Sequence, residues 1–187
     1  MGQDAVRDEL TVRDAVRDDA AAIAAVRVAG WRAGYAGILG DAVLAALDPA
    51  ADAARWLADW DSGPRRRVAT VAGAVVGFAT FGHYRSDGDD PVWPLGPTDG
   101  EVMAVYVDPS AWSRGVGSAL LADAVGQLRA DGHPVARLWV LRDNARARRR
   151  YAAAGFTDEE PAGVVAPFTP RGGGRAVPEV RYSRALG

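Results

Sequence analysis

The chain has 187 residues, room for one domain with a sizeable core, and its 49% apolar and 25% charged residues are ordinary for a globular protein. A formal net charge of −2 provides no field that would draw it to nucleic acid or anionic lipid. Having no cysteine, it lacks disulfides, thiol nucleophiles and cysteine metal sites; with only His83 and His133, a histidine-built metal centre is not expected either.

In chain order, residues 9–14 (ELTVRD) fit a short strand. Asp18 and Asp19 mark a helix start, and the pattern Ala20, Ile23, Ala24, Val26 carries that helix to about Ala33. Trp31, Tyr35, Ile38 and Leu39 lie among Gly30, Gly34, Gly37 and Gly40, which predicts interrupted helix or turns. Asp41 is placed to cap a second helix, and Asp48-Pro49 opens a third that runs to Trp60. Residues 61–67 read as a loop whose three arginines, Arg65 to Arg67, form a solvated edge. A β-hairpin follows over 68–85, turning at Gly73. Residues 86–100 are a long loop containing Asp87, Asp89, Asp90, Asp99 and Trp93, acidic enough to attract a cationic amine.

Residues 101–118, EVMAVYVDPSAWSRGVGS, are the chemical centre of the chain. Val102, Ala104 and Tyr106 alternate with Met103, Val105 and Val107, both sets largely apolar, as in a strand covered on both faces. Asp108-Pro109 stops the strand, and a glycine-rich turn leads into a helix over 117–130. A helix start presents unpaired N–H groups and the positive end of the macrodipole, and glycines admit a ligand to that backbone. Pro134 ends the helix region, 135–141 (VARLWVL) is a buried strand, and 144–154 is a helix closed by Gly155. Asn144, Arg148 and Tyr151 lie four and three residues apart and so share one helix face. Val164, Val165 and Phe168 follow, and 179–186 (EVRYSRAL) is a last strand. No internal repeat or second domain is apparent. A right-handed crossover from strand 101–107 to strand 135–141 brings the glycine turn and Asn144 to one sheet edge, where open α/β sheets bind ligands.

EVMAVYVDPSAWSRGVGSALLADAV and LWVLRDNARARRRYAAAGF together resemble the GCN5-related (GNAT) acyl-CoA-dependent N-acetyltransferases. The family turn Gln/Arg-x-x-Gly-x-Gly/Ala is matched by Gly115 and Gly117 but has Trp112 at its first position; Asn144, Tyr151, Gly155 and Phe156 match the second motif. The resemblance implies a single 1–187 domain of α/β (α+β) class with the GNAT fold: a mixed, mostly antiparallel sheet splayed at its centre, with helices on both faces. It implies acetyl-CoA as co-substrate and an amine acceptor. The pantetheine arm would run along the backbone of Val105, Tyr106 and Val107. Ser113, Arg114, Gly115, Val116, Gly117 and Ser118 would cradle the pyrophosphate, and Asn144 would sit near the pantetheine. Tyr151 would protonate the leaving thiolate, and an N–H near Val105 would serve the oxyanion. Glu101 is the candidate base, acting through water, and otherwise reads as an exposed strand-end carboxylate; His83 is the alternative base. Trp31, Tyr35, His83 and Tyr84 are candidate acceptor-side residues, each also readable as packing. Arg114 is by position the first candidate for the cofactor's 3′-phosphate, and one of Arg146, Arg148, Arg149 and Arg150 the second; those four otherwise read as a solvated face.

The expected function is acetyl transfer to a primary amine of a small molecule by direct attack in a ternary complex. The alternatives are acetylation of a protein N-terminus or lysine, and a non-catalytic acyl-CoA sensor. A nucleotide-binding P-loop fails for want of any lysine, all 22 basic residues being arginine, which reads as codon bias in a GC-rich bacterial genome. The charged N-terminal stretch and the absence of a membrane-length apolar run lead us to expect a cytoplasmic protein, with a homodimer a family possibility.

Overall fold

A computed structural model describes residues 9–84, 98–160, 165–171 and 173–187. Its strands are β1 (Thr11–Asp14), β2 (Arg65–Val71), β3 (Ala74–His83), β4 (Gly100–Val107), β5 (Val135–Leu141), β6 (Thr157–Asp158), β7 (Val165–Phe168) and β8 (Val177–Ala185). Its α-helices are α1 (Ala20–Gly34), α2 (Asp41–Ala45), α3 (Pro49–Ala58), α4 (Val116–Ala130) and α5 (Ala145–Ala153). The sheet order is β1-β2-β3-β4-β5-β8-β6, with β7 also on β8, and only β4 and β5 are parallel. The expected mixed, mostly antiparallel sheet is therefore present, and its centre is splayed. β4 and β5 pair only at Gly100↔Ala136 and Glu101↔Arg137 and then part.

One face of the sheet is covered by α4, whose Leu120, Leu121, Ala124 and Leu128 pack with Phe81, Val102, Val107, Leu138 and Val180. Across the sheet, Ile23 and Val26 of α1 pack with Val68 and Phe78, backed by Trp56 of α3. The simple alternation expected along β4 does not hold. Phe81 faces Val102 while Thr80 faces Ala104, so Met103 is an extra residue, a β-bulge. Val102 consequently joins Val105 and Val107 on the α4 side, and Ala104 and Tyr106 turn to the α1 side.

Local chemistry explains most boundaries. Asp48 accepts from Ala50 N–H at 2.8 Å and caps α3, with Pro49 at the first position. Asp41 does not cap α2; Gly40 takes the N-cap and Asp41 is the first helical residue. Gly30 lies inside α1, where a Cβ would meet the Val107 carbonyl at 3.5 Å, so the helix approaches β4 closely. Arg65 to Arg67 form strand, not loop, and alternate across it. Arg65 pairs with Asp131 at 2.5 Å and Arg67 with Asp123 at 2.8 Å, while Arg66 turns the other way and stacks on Trp60. Among the described residues no helix is long and apolar enough to cross a membrane.

Candidate active site

The divergence of β4 and β5 opens a cleft of ≈ 370 Å³. Residues 101–107 form one wall, and Trp139 to Leu141 with Asn144, Arg146, Ala147, Arg150 and Tyr151 form the other. Trp31, Tyr35 and Phe168 also line it. The cleft narrows to the point where the strands still pair, and there lies Glu101, only 3% exposed. Glu101 is therefore a buried carboxyl at the apex and not an exposed strand end.

Along the β4 wall, Asp108 N–H donates to the Val76 carbonyl at 2.8 Å. Backbone polar groups alternate in direction along a strand, so those of Tyr106 turn toward β3 and those of Val105 and Val107 toward the cleft. Of the three residues expected to offer backbone to a ligand, Tyr106 thus offers a side chain on the α1 face. Its hydroxyl lies 3.2 Å from that of Tyr35, and its ring packs on Phe78 and Trp31. The Val107 carbonyl already accepts the Trp112 indole N–H at 2.8 Å.

At the open end, Ser113 and Gly115 both adopt positive φ (64° and 83°), and Gly115 is the N-cap of α4. Ser118 N–H is given to the Gly115 carbonyl at 3.0 Å, so the first-turn donors for an anion lie ahead of it, at Val116 and Gly117. Arg114 is exposed and does not line the cleft.

Two arginines of α5 converge here that the sequence left among four. Arg146 lies over the Trp112 ring, 3.5 Å from its centroid. Arg150 covers Gly117: a Cβ there would collide with Arg150 Nη1 and lie 2.8 Å from its Cζ. Burial and the neighbouring Arg150 both lower the Arg146 pKa, as for a cation held beside another cation. Arg148, by contrast, is structural, bonded to Asp158 (2.7 Å), Glu160 (3.0 Å) and the Tyr182 hydroxyl (3.1 Å).

Asn144 caps its own helix, accepting from Ala147 N–H at 3.1 Å, and lines the cleft as well. Tyr151 is fixed by an edge contact with Phe156 and a tilted one with Tyr182, both 6.2 Å between ring centres. Burial, then the nearby Tyr106, pushes its phenol well above the usual tyrosine range, against a smaller opposing pull from Arg150. Burial acts likewise on Tyr35, reinforced by Tyr106. Both hydroxyls are proton-bearing donors at neutral pH. Trp31 is 7% exposed, and its buried indole N–H has no acceptor among the described residues.

The remaining acceptor candidates are not gathered at the cleft. His83 is exposed at the end of β3 and meets His133 edge-to-face, ring centres 4.9 Å apart. Tyr84 accepts the Trp139 indole N–H at 2.9 Å and so stands behind the wall that Trp139 forms. Asp99 is buried in an ion pair with Arg137 at 2.8 Å and is not placed to attract an amine. Asp87, Asp89, Asp90 and Trp93 lie outside the described residues. Among those described, no cluster of three or more metal-ligating side chains occurs.

The mixed, mostly antiparallel sheet that parts between β4 and β5, with helices on both faces, is an acetyltransferase-type fold. The chain belongs to the acetyltransferase (GNAT) family, whose profile matches residues 21–156. It is 33% identical over 179 residues to the mycothiol acetyltransferase of Mycobacterium avium, an alignment covering 84% of this chain and 55% of that protein. It is 31% identical over 138 residues to the uncharacterized N-acetyltransferase YuaI of Bacillus subtilis, covering 72% of this chain and 73% of the relative. The chain spans 32% to 55% of the length of mycothiol acetyltransferases from Sanguibacter keddieii and M. avium. Among solved structures, yncA of Salmonella typhimurium, determined with its cofactor acetyl-CoA, matches at 26% identity and a TM-score of 0.66 over 95% of this chain and 94% of that one.

Proposed function

We propose that this protein transfers the acetyl group of acetyl-CoA to a primary amine of a small molecule, by direct attack in a ternary complex. The observation that carries the reading is the parting of β4 from β5 after Glu101, which leaves strand backbone facing a cleft. The residues present fit the cofactor. The Val105 C=O and the Val107 N–H, both turned to the cleft, suit an amide-bearing arm, as another strand would, and leave the Val105 N–H for the reacting carbonyl. Val116 and Gly117 N–H groups at the α4 start, with Arg150 and Arg146 beside them, suit a diphosphate.

In the reaction the amine nitrogen forms the new bond to the thioester carbonyl carbon, and the carbon–sulfur bond breaks. Glu101, at the apex, takes the ammonium proton through water. The Val105 N–H donates to the carbonyl oxygen as charge develops there. The Tyr151 hydroxyl gives its proton to the departing sulfur and is reprotonated by the second proton that the acylated nitrogen sheds, so the buried phenol ends the cycle neutral. Trp31, Tyr35 and Phe168 form an aromatic wall that favours a small acceptor over an extended chain.

The test is release of free CoA from acetyl-CoA across aminoglycosides, polyamines, amino acids and short peptides, with Tyr151→Phe alongside the parent. Turnover with one acceptor class, falling by roughly 10²- to 10⁴-fold in Tyr151→Phe while acetyl-CoA affinity holds, is the expected result. Indifference to Tyr151→Phe would favour the sensor, and failure to bind acetyl-CoA in calorimetry would overturn the reading.

A further inference from the structure

We infer that the acceptor amine also carries an anionic group, a carboxylate or phosphate, which seats in a second cavity next to the cleft. The inference rests on the acetyl-transfer reading above. This cavity, ≈ 430 Å³, lies on the α1/α3 side of the sheet and gathers Arg27, Arg55, Arg66 and Arg171. They are opposed by Asp59 in the lining and by Asp52, which binds both Arg27 and Arg55. Four guanidinium groups against two carboxylates leave an excess of two positive charges around one hollow.

The two cations with no carboxylate bond among the described residues are those best placed to take a ligand. Arg66 comes from β2, stacks on Trp60 with 4.8 Å between guanidinium carbon and ring centre, and donates one hydrogen bond to the Trp60 carbonyl at 3.1 Å. Its remaining donors face a partly buried setting that lowers its pKa, as for a cation short of counter-charge. Arg171, between β7 and β8, is exposed and is in no ion pair among the described residues. An arginine fork suits a carboxylate or phosphate because two parallel N–H groups match two oxygens.

The position of the hollow ties it to the reaction. Met103, the bulged residue of β4, lines both the hollow and the cleft. Arg27 lies over Trp31, 4.3 Å from its ring centre, and Trp31 also lines the cleft. A molecule lying past Met103 would have its acid among the arginines and its amine toward Tyr35, Tyr106 and Tyr151.

The experiment is steady-state acetylation of matched amines: amino acids against their carboxamides, and 2-aminoethyl phosphate against 2-aminoethanol. Calorimetry with acetyl-CoA accompanies each protein. We expect at least one anionic member to exceed its neutral partner in kcat/KM by about tenfold or more, the scale of one charge-assisted hydrogen bond. Arg66→Met and Arg171→Gln should each collapse that ratio, chiefly through KM, Arg66→Lys should recover part of it, and acetyl-CoA affinity should hold. Raised salt should compress the ratio in the parent. Should Arg66→Met fail to fold, Arg171→Gln, at an exposed position, carries the test. Equal use of acids and neutral partners, or a preference that survives both replacements, overturns this inference while acetyl-CoA binding leaves the acetyl-transfer reading standing. Loss of acetyl-CoA binding in the parent overturns both.

Discussion

Arg150 sits over the one glycine whose replacement would evict it, so its contribution can be measured in two independent ways. Arg150→Met removes the charge, and Gly117→Ala removes the seat, because a Cβ would occupy the space of Nη1 while meeting Val107 Cγ2 only at 3.4 Å. The far end of an arginine can swing away, so the alanine costs the fold little. In a helix, alanine is favoured over glycine by up to about 1 kcal/mol, and the melting temperature should hold or rise. Binding should respond differently. One charge-assisted hydrogen bond to a diphosphate is worth about 1.5–3 kcal/mol, which is roughly 10- to 150-fold in Kd. Calorimetry with acetyl-CoA should show a loss in that range for each single variant, and the double variant should lose little more than either one. Acetyl-pantetheine, which has no diphosphate, should bind all four proteins alike. Additive losses, or equal losses for acetyl-pantetheine, would refute the placement of Arg150 on the diphosphate.

Trp112 stands where the family turn has glutamine or arginine, and Arg146 rests on its ring. Arg146→Ala should weaken acetyl-CoA about tenfold, and adding Trp112→Arg should restore much of the loss, as read by calorimetry. Gly77→Ala would set a Cβ 2.9 Å from Leu120 Cδ1, 3.0 Å from Val116 Cγ1 and 3.1 Å from the Tyr106 carbonyl, so urea unfolding should show about 1–3 kcal/mol of destabilisation. Hydrogen bonding from Arg13 holds the Asp19 carboxyl below its ordinary 3.8. As pH falls through that value the unfolded chain takes up the proton first, so this stabilisation is present at neutral pH and lost in acid. Asp19→Asn should melt earlier than the parent at pH 7, and the gap should close near pH 2.

The strand–turn–helix around Gly115 was legible because glycine placement, Asp-Pro and apolar runs each speak through local geometry. So was the helix that carries Asn144 and Tyr151. The bulge at Met103 was not, since no residue type announces an extra residue in a strand covered on both faces. Its effect on Val102 and Tyr106 appears only in the pairing with β3. Arg65 to Arg67 were misread because three charges in succession look solvated, whereas a strand divides them between two faces with separate partners. Sorting Arg146, Arg148 and Arg150 required tertiary information. One stacks, one joins an acidic network and one covers a glycine, and their helical spacing alone does not distinguish these outcomes. His83 and Tyr84 came from nearness to a strand end, but the strand's direction takes the first to His133 and leaves the second behind Trp139.

The two walls of the cleft are joined differently at its two ends. At the apex they share backbone hydrogen bonds at Glu101 and Arg137, a joint that cannot change without unzipping strand. At the mouth, α5 is joined to the turn after β4 and to the start of α4 by Arg146 on Trp112 and Arg150 on Gly117, contacts of flexible side chains that rearrange on much shorter timescales than backbone pairing. Mechanically the cleft is a pair of tweezers with a riveted heel and a magnetic catch at the tips. An anion that engages the guanidinium groups acts on the catch directly, so the grip at the mouth and the occupancy of the mouth are a single variable.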